Sequence, residues 1–248
     1  MARINCMTDL WIFSQLAPAD KKLVHELARR RTIAKGEILF SEGDPASTIF
    51  LITEGRIKLF KVYEDGKEVI LGFLTVHDLF GEETLFTKGI RSMSAQAVET
   101  SRICACEQRD FEKLVGSNPD VAVKVIQTLG AKLSQVSEQL ADAAVRDVRE
   151  RVINSLVRLA REYGQETRQG LRLGFRLTHE DLGALVGASR VMVTNVLHDL
   201  RKAGEILTDD DRRFIVSLRL LSTTKQGIEV GQRMETPRCP CFSDLERL

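Results

Sequence analysis

Between Leu177 and Ile206 the sequence reads LTHEDLGALVGASRVMVTNVLHDLRKAGEI, and few folds accommodate that pattern. Thr178 with Asp181 three residues later has the layout of a capping pair that opens a helix. Leu182, Leu185 and Val186 then fall on one helical face. Gly187 supplies a residue that turns with positive φ, and Ser189 is placed to cap a second helix. In that second helix Val193, Val196, Leu197 and Leu200 share one face, while Arg190, Val191, Thr194, Asn195 and His198 share the opposite one. Two short helices joined by a glycine turn, with the outer face of the second left polar, describe a helix-turn-helix. A helix docked in a major groove needs donors and small apolar groups on its exposed side, and these five residues supply them. Thr178 and Ser189, at the two helix starts, complete the candidate DNA-contacting set. The same pattern would serve a helical hairpin in an ordinary core, or a winged helix that grips protein instead of DNA.

A chain of 248 residues leaves room for a second domain ahead of this one. Leu10, Trp11, Ile12 and Phe13 form a short apolar patch, and Pro18 starts an amphipathic helix with Leu23, Val24 and Leu27 inward. From Arg31 to about Glu107 the character changes. The runs GEILF, TIFLITEG, RIKLFKVY, KEVILGFL and MSAQAVE are β-rich and are punctuated by Gly36, Gly43, Gly55, Gly66, Gly72 and Gly81. Asp65-Gly66 between two of them is a hairpin signal. Many short strands with regular turns predict a β-sandwich or jelly roll.

Asn118-Pro119 then opens a long helix in which Ile126, Leu129, Leu133, Val136, Leu140 and Ala143 recur at alternating spacings of three and four. That is a heptad seam, expected of a parallel coiled-coil dimer; the alternative is a stripe packed on its own β-roll. Residues 146–148 form the natural hinge. Asp147 to Tyr163 is a further amphipathic helix with Val152, Leu156 and Leu159 inward, followed by a polar loop from Gly164 to Gly170 and a strand in LRLGFRL. EILTDDDRRFIVSL reads as a two-stranded wing with Asp209, Asp210 and Asp211 in its turn and Arg212 and Arg213 within reach of a DNA backbone. The organisation expected is therefore α+β: a β-roll over residues 1–118, a dimerisation helix over 119–146, a winged helix-turn-helix over 147–222 and a polar tail over 223–248.

KGEILFSEGD, FLITEGRIKLF, and LFGEETLF followed by IRS are similar, in kind and order, to the motifs of cyclic-nucleotide-binding β-rolls. With the helix-turn-helix downstream, the chain resembles the Crp/Fnr (cyclic-AMP receptor/fumarate-nitrate regulator) family of bacterial transcription factors from about Leu10 to Leu218. Phe80 to Ser92, FGEETLFTKGIRS, is similar to that family's phosphate-binding cassette. Its chemistry also reads directly. Gly81 lets backbone approach a ligand, and a short helix starting near Glu82 offers free N–H groups to an anion. Arg91 can pair a phosphate, Ser92 adds a hydroxyl donor, and Glu82 can accept a ribose hydroxyl hydrogen. Proteins of the family also keep this scaffold while binding something else, or nothing. The resemblance implies that the long helix is both the dimer interface and the upper wall of the site, where cyclic-AMP binders place adjacent Thr-Ser. Here the matching pair is Val136-Ser137. Cyclic AMP or another cyclic nucleotide is thus the expected effector, with the base left open. In the recognition helix the family's receptors often carry Glu after the first Arg and Arg four residues further on; here those positions are Val191 and Asn195, so a different half-site is expected.

The remaining composition excludes more than it assigns. No apolar run is long enough to cross a bilayer and no signal-peptide layout begins the chain, so no membrane role and a cytoplasmic location are expected. Five cysteines, an odd number, argue against a disulfide framework. Cys104 and Cys106, two apart in ICAC, read as small buried hydrophobes, and Cys239 and Cys241 in the tail lack further ligands at zinc-site spacing, so no metal is expected. An iron–sulfur sensor would need an N-terminal cysteine cluster, and only Cys6 is there. His77, ahead of the cassette, reads as a loop residue rather than a haem ligand, and Gly81 and Glu83 stand where the family's axial ligands would be expected. No nucleophile–base pair or paired carboxylates point to an enzyme. The expectation is a homodimeric, ligand-gated regulator of palindromic double-stranded DNA, with RNA polymerase as a further partner. A signalling protein whose C-terminal domain contacts protein is the second reading.

Overall fold

The computed structural model describes residues 13, 16, 18–85 and 89–224. Cys6, Leu10, Trp11, Ile12, the Leu23 side chain, cassette residues 86–88, and the tail from residue 225 with Cys239 and Cys241 lie outside the described residues. The chain divides into two compact units. Among the described residues the first takes in those up to 61 and 71–133; the second takes in 62–70 and 134–224.

In chain order, α1 (Pro18–Leu27) leads into β1 (Arg29–Ile33), β2 (Ile38–Phe40), β3 (Thr48–Glu54), β4 (Ile57–Val62), β5 (Glu68–Leu74) and β6 (Leu79–Phe80). A 3-10 turn (Glu82–Leu85), β7 (Ser94–Ala97), β8 (Ser101–Glu107), α2 (Gln108–Ser117) and the start of α3 (Pro119–Val145) follow. Two four-stranded sheets, ordered β1-β8-β3-β6 and β2-β7-β4-β5, make the expected sandwich. The β4–β5 turn closes at Asp65-Gly66, with the Tyr63 N–H donating to Lys67 O at 3.0 Å.

Strands β3 and β8 read as nearly continuous apolar runs because both of their faces are covered. With side chains alternating along a strand, Phe50, Ile52, Ile103 and Ala105 enter the core between the sheets. Ile49, Leu51, Cys104 and Cys106 point the other way. There they meet Val24 of α1, Phe111 and Leu114 of α2, and Val121 and Val125 of α3. Phe111 is fully buried, and truncating such a ring to alanine costs on the order of 3–5 kcal/mol.

Some elements depart from expectation. β1 carries Arg29, Arg30 and Arg31, all exposed, and pairs only with β8, from Arg29 opposite Ala105 to Ile33 opposite Ser101. Charged edge strands discourage further pairing and give no hydrophobic alternation to read. The Asn118 amide donates to Leu114 O at 3.1 Å, so that side chain closes α2 instead of opening α3.

In the second unit the latter part of α3 is followed by α4 (Val148–Tyr163), β9 (Gly164–Thr167), β10 (Gly170–Leu173), α5 (His179–Val186) and α6 (Arg190–Lys202). β11 (Ile206–Thr208), β12 (Phe214–Ser217) and α7 (Leu218–Thr223) complete it. The sheet runs β11-β12-β10-β9. The stretch expected as a polar loop holds β9, whose polar side chains lie on the sheet edge. Asp147 starts α4 with a reciprocal capping box: its side chain accepts from Glu150 N at 2.8 Å, and Glu150 accepts from Asp147 N. Among the described residues no helix is long and apolar enough to cross a membrane.

Burial, reinforced by the nearby carboxylates of Asp110 and Glu107, pushes the Cys106 thiol up to about 11. Cys106 therefore stays protonated and inert at neutral pH, and Cys104 is shielded under the same helices. Peptide mapping after iodoacetamide treatment of the native protein is expected to find neither cysteine alkylated, and both alkylated after denaturation. Labelling of Cys106 in the native state would contradict the packing of α2 on β8.

Candidate effector pocket and nucleic-acid interface

The cassette is organised by Arg91, which is 2% exposed. Its Nη2 donates to Thr48 O at 2.5 Å, and its Nη1 donates to Glu83 Oε1 at 2.9 Å and to Gly81 O at 3.4 Å. The guanidinium carbon stands 4.3 Å from the centroid of Phe40 and 5.4 Å from that of Phe50. Those rings stack with Phe80 at centroid distances of 5.2–6.2 Å, forming an aromatic wall that favours the cation. Gly81 has φ 80°, and a Cβ there would come within 2.8 Å of Arg91 Nη1 and 2.9 Å of Thr48 O. The glycine is thus required both for the turn and for the close approach of the guanidinium.

Glu82 is buried beside it and ion-paired to Lys132 of α3, whose ammonium also donates to Leu79 O at 2.8 Å. Among the described residues, buried polar atoms of the cassette without a hydrogen-bond partner are Arg91 Nε, Glu82 Oε2 and Thr84 Oγ1. A donor, an acceptor and a hydroxyl left unsatisfied in one short segment are what a polar ligand would complete. The helix expected near Glu82 is a single 3-10 turn, too short to present an N-terminal anion site, and Ser92 is exposed on the following turn. The cassette thus gathers Gly81, Glu82 and Arg91 closely. Its partners Lys132, Glu83 and Thr48 escaped the sequence reading. Lys132 could have been found, because it continues the roll-facing spacing of Val121, Val125 and Leu129 at a position where a packing stripe would place an apolar residue.

Along α3 the heptad stripe divides. Leu129, half-buried, packs with Val121 and Val125 on the roll. Ile126, Leu133, Val136 and Leu140 are 58–70% exposed, and Ser137 and Ala143 are exposed with them. A row of large apolar side chains in water is the mark of a surface made to be covered.

In the helix-turn-helix, Thr178 Oγ1 accepts from Asp181 N at 3.0 Å and donates to Asp181 Oδ2 at 2.5 Å, closing the box that starts α5. Gly187 ends α5 with φ 67°, and Ser189 Oγ accepts from Met192 N at 3.2 Å to start α6. Val193, Leu197 and Leu200 are fully buried, whereas Arg190, Val191, Thr194, Asn195 and His198 are all exposed on the outer side. Thr194 donates its hydroxyl to Arg190 O at 2.8 Å and lies 2.9 Å from His179 Nδ1. The His179 ring stacks on Phe214 of β12 at 6.4 Å, and Arg201 stands 5.7 Å from the same ring. His179 therefore braces α6 against the wing, a role not legible from its place at the helix start. In the wing turn Arg213 folds back, donating to Gly174 O at 3.3 Å and approaching Asp211, while Arg212 is exposed. Among the described residues no cluster of His, Cys, Asp and Glu could hold a metal ion.

Comparison with known proteins adds two family models. One described as a cyclic nucleotide-binding domain matches residues 30–118, and one described as a Crp-like helix-turn-helix domain matches residues 150–222. The chain is 33% identical over 195 residues to the cyclic AMP receptor protein of Thermus thermophilus, covering 79% of this chain and 87% of that one. It is 30% identical over 199 residues to the anaerobic regulatory protein of Bacillus subtilis, covering 80% and 84%. A solved CRP-family transcriptional regulator from Thermus thermophilus superposes with a TM-score of 0.65 at 26% identity, covering 78% of this chain and 95% of that one.

Burial first, then the guanidiniums of Arg201 and Arg190, hold the His179 imidazole below its ordinary 6.5. The unfolded chain then takes up the proton before the folded one does as pH falls. This increment of stability is complete above the unfolded value and is lost on acidification through the folded value. Urea unfolding across about pH 7.5 to 5.5 is expected to show the native protein losing more stability than a His179→Gln variant. Equal slopes would remove His179 from the account.

Proposed function

The chain belongs to the Crp/Fnr family of transcription regulators, and from that premise we propose that it is a ligand-responsive regulator, not an enzyme, that binds palindromic double-stranded DNA as a homodimer. Residues 1–118 sense the effector, 119–146 dimerise and couple, and 147–222 read DNA. The observation that carries this reading is the outer face of α6, where Arg190, Val191, Thr194, Asn195 and His198 stand exposed on a helix fixed by three buried aliphatic residues. Arg190 reads a guanine, Val191 meets a thymine methyl, and Ser189 and Thr194 position the helix on the backbone. The exposed row on α3 is the dimer seam. Effector binding favours the dimer arrangement whose recognition helices lie about 34 Å apart, one DNA turn. RNA polymerase is the further partner expected of such a regulator.

The effector is a cyclic nucleotide or a similar anion held by Glu82, Arg91 and Ser92, with Val136 and Ser137 on α3 facing the base. Support comes from the unpaired cassette atoms and from the name of the Thermus thermophilus relative, a cyclic AMP receptor.

Fluorescence anisotropy on DNA sites selected from random sequence tests the whole reading. Binding is expected to weaken steeply with salt, and the selected half-site to differ from TGTGA because Val191 and Asn195 replace Glu and Arg. Arg190→Ala is expected to lose about 1–3 kcal/mol and discrimination at one base pair. Absence of salt-dependent DNA binding would favour a protein-contacting domain instead. Leu133→Glu places a charge on both sides of the seam and is expected to yield monomers in sedimentation. A persistent dimer would move the interface elsewhere.

A further inference from the structure

We propose that Glu83 is a built-in counter-anion for Arg91, which an anionic effector must displace before it can bind; this rests on the reading of the cassette as the effector site. Among the described residues two ion pairs stand at the cassette. Lys132 holds Glu82, and Glu83 holds Arg91. The Nη1 of Arg91 is taken by Glu83 and Gly81 O, and Nη2 by Thr48 O, while Nε alone is unsatisfied. A phosphate seeking a two-pronged contact finds a carboxylate on one prong, and two anions sharing one guanidinium repel each other in a site this dry.

The two partners differ in their freedom to move. The Arg91 side chain is 2% exposed and boxed by Phe40 and Phe50, so it stays. The Glu83 side chain is 22% exposed and stands on the solvent side of the pair. Glu82 cannot substitute for it, because Lys132 already engages its Oε1. Glu83 therefore both stabilises the buried cation when the site is empty and raises the threshold for any anion that fills it. It sets selectivity by charge, without touching the part of the ligand that carries base identity.

The experiment is calorimetric titration of the full-length protein and two variants with cyclic AMP and cyclic GMP. Glu83→Gln keeps the shape and an acceptor for Arg91 but removes the charge. It is expected to bind at least one of the two nucleotides about tenfold more tightly than the native protein, the size of one charge-assisted hydrogen bond. Glu54→Gln removes the same charge from an exposed pair with Arg102 at the end of β3 and is expected to bind as the native protein does. Thermal melts confirm that the variants are folded. Glu83→Asp, which keeps the charge but retracts it by one methylene, is expected to fall between native protein and Glu83→Gln, and it stands in if Glu83→Gln does not fold. If the native protein binds and Glu83→Gln binds no more tightly, the inference falls while the effector reading stands. If neither binds either nucleotide, both fall.

Discussion

A guanidinium held almost wholly out of water is the constraint on which the sensing unit depends. Burying a charge costs several kcal/mol unless nearly every donor finds a partner. The fold meets the demand from three directions: a strand carbonyl at Thr48, a turn carbonyl at Gly81, and a carboxylate at Glu83. Phe40, Phe50 and Phe80 complete the box with ring faces. The short β6, the bare α-carbon of Gly81 and the single 3-10 turn are all consequences of bringing these groups to one point. Glu82 then needs a cation of its own, and α3 supplies it through Lys132.

In the DNA-reading unit the organising contacts are at helix ends instead. Arg151 donates from Nε to Val186 O at the end of α5 and from Nη1 to Arg146 O at the end of α3, each at 3.0 Å. Asp142 accepts from Arg146 Nε at 2.6 Å and from the buried Asn154 at 3.0 Å. Helix C-termini expose unpaired carbonyls, and a guanidinium answers two of them at once. The break between α3 and α4 at residues 146–147 is therefore a braced corner. One guanidinium thus ties the end of α3 to Val186, the residue before the glycine that precedes α6.

Much of this was legible in the sequence because local rules agreed with the fold. The capping box at Thr178, the turn at Gly187, the two-faced α6 and the strands with periodic glycines each announce themselves over a few residues. The outward row on α3 was also legible, but its spacing could not separate Leu129, which turns to the roll, from its neighbours. Heptad and roll-facing stripes overlap on one helix, and only the shape of the sheet beneath decides between them. What escaped were features without a pattern: the arginine-rich β1 and the polar β9, both edge strands, and the charge partners of the cassette. The place of Lys132 on the roll-facing stripe was legible, but no spacing rule joins it to Glu82, or Glu83 to Arg91. Their pairing follows from burial, which a sequence does not display.

The two-sided burial of β3 has a consequence for how such a protein can change over generations. Phe50 backs the guanidinium on one face, while Ile49 and Leu51 on the other pack beneath α2 and α3. A mutation on this strand that retuned ligand preference would disturb the footing of the helices as well, so most variants there would be lost before selection could test them. Ser92, exposed beside the cassette, bears no such double duty. New ligand preferences should therefore accumulate at such exposed positions, leaving the strand to record the shared ancestry of the fold.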